Sequence, residues 1–488
     1  GFTGRIVMLE PRRLAARTAA ERMAETLGEP VGETVGYRVR GEAKVGRSTR
    51  IEVVTEGILT RMIQSDPDLP GVGVVIFDEF HERSLNADLG LALCLEVAEA
   101  LRDDLHLVVM SATLDAAPVA EMLDAPLVTS EGRAYEVTPH WLDRPRGQAR
   151  LEGAVADLIR DALRAQTGSA LVFLPGEGEI RRVQGLLDGS FGSDVAVHPL
   201  FGAMDFAAQR AAIAPAKTGR KVVLATAIAE TSLTLPDIRI VVDAGLARRA
   251  RFDPSSGMSR LVTERVPRAE ATQRAGRAGR VAAGHCYKLW TRGEDGALAA
   301  FPPAEIEAGD LTGMALELAL WGATPEELSF VTPPHPGRYG EAVEVLRMLE
   351  ALDAAGRITA HGRALSGLPL HPRLAHMLVR GGAGAAELAA LLAERDILRG
   401  VGSDLRLRMQ ALRSPDRFGN AVQRGALARV RQETRRLKSR TSGGAQSLGA
   451  MAALAYPDRI GLRRKGDAPR FVLSGGKGAI LPDGDALA

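Results

Sequence analysis

Val72-Gly73-Val74-Val75-Ile76-Phe77-Asp78-Glu79-Phe80-His81 is the stretch on which the fold turns. Its first half, Val72–Phe77, carries no polar side chain. That composition suits a strand buried on both faces, the condition of a parallel sheet covered by helices. Two carboxylates and an imidazole then arrive together at the strand's carboxyl end. Open parallel sheets bind their ligands just outside these ends. A carboxylate there can hold Mg²⁺ through its waters, and its neighbour can orient or deprotonate an attacking water. Taken alone, the tetrapeptide Asp78–His81 equally suits an acidic helix N-cap.

Working outward, the same pattern repeats on both sides. Arg5–Leu9 reads as a short apolar strand, with a helical stretch from Leu14 to Leu27. Ile51–Val54 alternates like a strand and leads through Thr55-Glu56-Gly57 into a helix, and Leu105–Met110 reads as a further buried strand. A second series follows, with strands at Ala170–Leu174, Val195–His198, Lys221–Ala225 and Ile238–Val242 separated by helical segments. Two βα series predict an α/β protein with two tandem doubly wound parallel-sheet domains, divided near residues 143–150, where Asp-Arg-Pro-Arg-Gly breaks the pattern. From Leu311 helices dominate to Leu454, interrupted by a hairpin-like segment over Leu352–Ala364. From Arg459 the chain reads as the start of a β domain.

Composition narrows the function classes. The 488 residues fit about three domains. Charged residues are 25% and hydrophobic ones 45%, as in a globular protein rather than a disordered one. Aromatics are only 4%, so the cores must rest on Ala, Val, Leu and Ile. A net charge of +2 gives no overall basic field, so nucleic acid would have to bind at local patches. Two distant cysteines, Cys94 and Cys286, exclude a disulfide framework and a Cys-rich zinc site, and they fit a reducing cytoplasm. No apolar run reaches the roughly 18 residues that a membrane helix needs.

A second cluster lies far downstream. Gln273-Arg274-Ala275-Gly276-Arg277-Ala278-Gly279-Arg280 spaces Arg277 and Arg280 three apart, which predicts both on one side of a helical turn. Small residues between them let a phosphate chain approach. Guanidinium groups suit the charge that develops on a transferring phosphoryl group. A Gly-rich helix is a costly choice for a merely solvated basic face.

Asp78–His81 resembles motif II of the superfamily 2 DExH helicases, and Gln273–Arg280 resembles motif VI of their DEAH-box branch. Pro11-Arg12-Arg13 resembles motif Ia, Thr55-Glu56-Gly57 motif Ib and Ser111-Ala112-Thr113 motif III. Phe173–Gly176 resembles motif IV, and Ala225–Thr234 motif V. The seven stand in the family's order, and Phe77–Leu85, Leu316–Gly322, Leu370–Leu374 and Tyr456–Ile460 carry the likeness across the rest of the chain.

The resemblance implies two RecA-like domains and a set of roles. Asp78 would hold Mg²⁺ and the nucleotide through water, and Glu79 would polarise the hydrolytic water. Gln273 would position that water, while Arg277 and Arg280 would act as arginine fingers. With His81 these make the implied catalytic set. Ser111 and Thr113 would link nucleotide state to domain closure, Ser232 and Thr234 would face the nucleotide, and Arg22 would stack on its base. Arg12, Thr55, Gly57 and Thr226 would hold a nucleic-acid backbone. Tyr37–Arg40 resembles a hook-like turn, and Arg248–Arg265 a strand-separating β-hairpin. Three departures touch the base and ribose contacts. Ala227 replaces a common Asn, Pro236 an acidic residue, and Ile213 lies near a base-stacking aromatic's place.

The implied organisation is a first RecA-like domain over 1–145, a second over 146–303, a winged-helix-like domain over 304–369, a ratchet-like helical bundle over 370–457 and the start of a β domain from 458. The implied activity is ATP-dependent (or other NTP-dependent) helicase action with Mg²⁺, in the cytoplasm, as a monomer, on single-stranded RNA, with DNA as the alternative. An NTPase switch without processive unwinding shares every motif, and a non-catalytic RNA scaffold is the third reading. No Gly-x-x-x-x-Gly-Lys-Ser/Thr phosphate loop occurs in the sequence. The expectation is therefore a fragment that lacks this loop and the C-terminal region, and whose first sheet lacks its phosphate-binding strand.

Overall fold

The computed structural model describes residues 3–112, 116–130, 135–216, 218–230, 235–253, 258–441, 444, 446–482 and 484–487. The first elements are β1 (Arg5–Glu10), α1 (Arg13–Leu27), β2 (Val35–Val39), β3 (Glu42–Lys44), β4 (Ile51–Thr55), α2 (Glu56–Ser65), β5 (Val72–Phe77), α3 (Leu85–Ala100) and β6 (His106–Val109). They form a sheet in the order β3-β2-β4-β1-β5-β6, parallel except for β3. The apolar stripe of α1, with Ala16, Ala20 and Ala24, packs against Val35, Tyr37, Val39 and Val53 of this sheet. Alanines there let the helix lie close, which is how a chain poor in aromatics fills its core. On α3, a Cβ at Gly90 would sit 3.6 Å from both Leu59 of α2 and Phe77 of β5.

The next elements are α4 (Ala117–Met122), β7 (Val137–Leu142), α5 (Leu151–Ala165), β8 (Ser169–Phe173), α6 (Glu177–Leu187), β9 (Val195–Leu200), α7 (Phe206–Ile213), β10 (Arg220–Ala225) and β11 (Ile238–Asp243). After them come β12 (Leu246–Asp253), β13 (Met258–Arg265), α8 (Arg268–Gly276) and β14 (Gly284–Thr291). The second sheet runs β7-β14-β11-β8-β10-β9 and is parallel throughout. Strands β12 and β13 form a separate two-stranded ribbon.

The α/β reading with two parallel sheets holds, with three corrections. The boundary at 143–150 is misplaced, because β7 belongs to the second sheet. Its Pro139 cannot donate to a ladder, so the segment reads poorly as a strand, yet an edge accepts it. The opposite edge strand, β9, carries Pro199 in the same way, and both edges of this sheet are thereby blunted. Strand β14 was not foreseen at all. The hook expected at Tyr37–Arg40 is mostly strand: Tyr37 and Arg38 pair with both β3 and β4, and the turn lies at Arg40-Gly41, where Gly41 has φ 82°.

By chain contacts the protein divides into two compact units. One holds both parallel sheets (1–251, 259–309 and 328–333); the other comprises 252–258, 310–327 and 334–488. The second unit is helical, with helices at Thr312–Trp321, Pro336–Met348, Ala360–Ser366, Pro372–Arg380, Ala385–Ala393, Leu405–Arg413, Arg424–Leu437 and Leu448–Ala455. It ends in an antiparallel sheet of Gly461–Arg463, Arg470–Leu473 and Gly478–Ile480. Among the described residues no helix is long and apolar enough to cross a membrane.

Candidate active site

The turn after β5 is pinned from both sides. The Asp78 N–H donates to the Leu9 carbonyl at the end of β1 (3.2 Å), and the Phe80 N–H donates to the Met110 carbonyl just past β6 (3.1 Å). Glu79 sits between them in the left-handed region, φ 52° and ψ 32°. For a residue with a Cβ this costs about 1–3 kcal/mol, the kind of strain that persists where geometry is over-determined.

Asp78 Oδ1 accepts the Glu79 N–H at 2.8 Å. Burial pushes the Asp78 carboxyl above its ordinary range, and the Glu79 charge adds to that, while hydrogen bonds from the Glu79 N–H and from the Glu10 side chain oppose it. Glu10 is only 3% exposed at the end of β1.

His81 spans the cleft between the sheets. The Ala112 N–H donates to its Nδ1 at 3.3 Å, which in the neutral ring leaves the proton on Nε2. Nε2 lies 3.5 Å from Glu79 Oε2 and 2.7 Å from the Gln273 amide on α8. The expected set Asp78, Glu79, His81 and Gln273 is therefore brought together.

The two arginines behave differently from each other, which corrects the picture of a matched pair on one helical face. Helix α8 ends at Gly276, and Arg277–Gly279 is a 3₁₀ turn. Arg277 is 6% exposed, and its guanidinium donates to the Glu230 carbonyl, with Nε at 2.8 Å. Burial pulls Arg277 below the ordinary arginine value, the Arg280 charge does the same, and the Glu79 charge opposes both. Arg280 is exposed at its surface, yet partial burial still pulls it below the ordinary arginine value, against the opposing Glu79 charge. Both guanidiniums thus feel the Glu79 carboxylate. The small Gly279 serves packing: a Cβ there would meet the Tyr135 carbonyl oxygen at 2.4 Å.

Arg274 lies inside the motif without a role implied by the resemblance. It is 1% exposed, with Nε 3.1 Å from Glu230 Oε2, one terminal nitrogen 2.9 Å from Asp243 Oδ1, and its guanidinium 5.0 Å over the Phe173 ring. Burial disfavours its charge, but Asp243, Glu230 and Glu270 overcome that and raise its pKa. Burial also pushes Glu230 up to about 7, against the pull of Arg274. An Arg among small residues after two acidic positions, Glu230 and Asp243, was the available signal.

Arg12 does not stand free for a nucleic-acid backbone. It bonds the Ala227 carbonyl at 2.5 Å and pairs with Glu82 at 3.1 Å, linking the first sheet to the segment after β10. Thr226 is half-buried beside that segment. Thr55 stands at the N-cap of α2 without using its side chain as a cap, and Gly57 is exposed with open space around it. Ser111 and Arg22 are exposed. Thr113, Ser232 and Thr234 lie outside the described residues. Ile213 ends α7, and the carbonyls of Ala212, Ile213 and the following Ala214 accept from the buried Lys221 ammonium at 3.1, 3.2 and 2.6 Å.

Comparison with known proteins agrees with this layout. The helicase conserved C-terminal domain family matches residues 153–282. The ATP-dependent RNA helicase HrpB of Escherichia coli (strain K12) is 47% identical over 505 aligned residues, covering 100% of this chain and 60% of that protein. A crystal structure of the E. coli DEAH/RHA helicase HrpB superposes with a TM-score of 0.86 over 100% of this chain and 61% of that one. The chain belongs to the DEAH-box helicase family. Schizosaccharomyces pombe prp22, a pre-mRNA-splicing factor and ATP-dependent RNA helicase, is 36% identical over 78% of this chain and 33% of its own length. The chain thus spans about 60% of the HrpB length.

Proposed function

We propose that this chain is the greater part of the motor of an ATP-dependent RNA helicase of the HrpB type, which as a whole couples NTP hydrolysis between its two parallel sheets to translocation on, or remodelling of, single-stranded RNA. The observation that carries it is the meeting of Glu79 and His81 from one sheet with Gln273, Arg277 and Arg280 from the other. Glu79 takes the proton of the attacking water, Gln273 and His81 hold that water's site, and the two guanidiniums meet charge building on the phosphate. Because the groups come from two sheets, hydrolysis needs both in register, and that requirement transmits the nucleotide state.

Asp78 would hold Mg²⁺ through water, and the bound ion would neutralise charge on the phosphates. Its oxygen donors suit that hard cation. Among the described residues no group of three or more His, Cys, Asp or Glu is placed to cage a metal. The free, buried Cys94 and Cys286 fit a reducing cytoplasm. The names of the relatives support RNA as substrate.

The test is ATP hydrolysis by the full natural chain with and without single-stranded RNA. Hydrolysis stimulated by RNA, with an affinity that falls steeply with salt and depends little on sequence, supports the reading. Hydrolysis indifferent to RNA overturns it.

A further inference from the structure

We propose that Glu270 is a positioning residue that ties the β12–β13 ribbon to Arg277, so that nucleic acid on the ribbon governs how that guanidinium meets the nucleotide. The inference rests on the RNA-stimulated hydrolysis proposed above.

A chain of alternating charges runs between the two places. Arg249 of β12 reaches Glu264 of β13 at 2.7 Å and Glu270 of α8 at 2.5 Å. Glu270 Oε2 lies 3.9 Å from Arg274. Arg274 holds Glu230 and Asp243, and the Glu230 backbone carbonyl receives Arg277. Glu270 has a side chain only 14% exposed, while that of Arg274 is 1% exposed. Partly buried charges separate from their partners only at a cost, so displacing one end of the chain moves the next.

The second strand of the ribbon is solvent-exposed. Most of β13 is exposed, with Leu261 71% exposed, and Arg260 stands beside it in the open. A strand that draws the ribbon outward pulls on Arg249, and Glu270 is the joint where that pull enters α8. The three acidic side chains differ in what they do. Glu264 stiffens the ribbon through Arg249 and Arg251, Glu230 holds Arg277 through its backbone, and Glu270 joins the two groups.

The experiment uses the full natural chain and reads the ratio of RNA-stimulated to basal ATP turnover, with the KM for ATP. Glu270→Gln should lower that ratio by at least about 5-fold, within the usual span of a coupling between two sites. Arg249→Gln should lower it to a similar level, the double variant should fall no further, and Arg249→Lys should retain most of it. Basal and stimulated turnover falling by one common factor would show a merely structural brace, and additive losses would show two independent contacts. Either result overturns the proposal. If Glu270→Gln does not fold, the Arg249 pair, on a more exposed side chain, decides the question by itself. A wild-type chain that RNA does not stimulate overturns the function reading and this inference with it; a stimulated wild type with an unchanged ratio in the variants overturns this inference alone.

Discussion

At the scale of single residues the chemistry rests on a strained turn and two unequal arginines. Glu79 is held left-handed, with its carboxylate 3.5 Å from the His81 ring. Glu79→Gln should therefore keep nucleotide binding and lose turnover by about 10²–10⁴-fold, as for loss of a general base. Single-turnover hydrolysis measured beside nucleotide affinity checks this, and wild-type turnover would sink the assignment. Arg277→Ala and Arg280→Ala should each cut kcat by up to about 10³-fold with less change in ground-state binding. They should differ in stability. Arg277 is buried on the Glu230 carbonyl, so its loss orphans a buried acceptor and lowers the melting temperature, whereas removal of the exposed Arg280 should leave it nearly unchanged. Thermal melts of both variants separate the two; a rise in KM alone would make them ordinary binding residues.

At the scale of elements, buried charge fixes how strands and helices meet. Arg274 joins α8 to β11 through Asp243 and to the segment after β10 through Glu230. Arg274→Met removes the cation from two carboxylates that are 0% and 5% exposed. The cost should be about 3–5 kcal/mol, read by denaturant unfolding, because an uncompensated buried charge is dearer than the lost pair. In the helical unit, His361 Nε2 lies 2.8 Å from His376 Nδ1, between the helices Ala360–Ser366 and Pro372–Arg380. Burial pushes His376 down to about 4, and His361 and Arg380 act the same way, while Glu350 and the Leu349 carbonyl oppose. The unfolded chain, with an ordinary value of about 6.5, then takes up a proton that the folded one refuses. Stability is thus complete above about pH 6.5 and is lost as the pH falls toward 4, by up to about 3 kcal/mol. Urea unfolding from pH 7 to 4.5 should show this slope, and His376→Asn should flatten it. A slope untouched by the substitution would place the acid sensitivity elsewhere.

At the scale of the whole molecule, the cleft has a base, fingers and a water-positioning amide, but no Gly-Lys-Ser/Thr loop anywhere in the 488 residues. A phosphate needs converging N–H groups and an ammonium to be held. Residues 1–488 alone should therefore bind Mg–ATP weakly and turn it over negligibly. Isothermal titration tests this, and micromolar affinity would mean that the phosphates sit somewhere else.

The sequence by itself determined the parallel strands and the reactive groups at their ends. Val72–Phe77 reads as a strand buried on both faces, and Asp78, Glu79 and Gln273 carry their chemistry in their own side chains. What it left open were matters of partnership. Pro139 hid β7, because a proline is penalised locally and tolerated only once a strand is known to be an edge. Even spacing made Arg277 and Arg280 look equivalent, yet one turn of 3₁₀ helix buries the first against Glu230 and leaves the second in solvent. Arg12 looked free until Ala227 and Glu82 arrived beside it. The His81–Gln273 link closes over 192 residues of chain. Local pattern is set by steric preference and burial within a few residues, whereas a contact across such a separation exists only after both sheets have packed, and only then do burial and facing charge decide what each side chain can do.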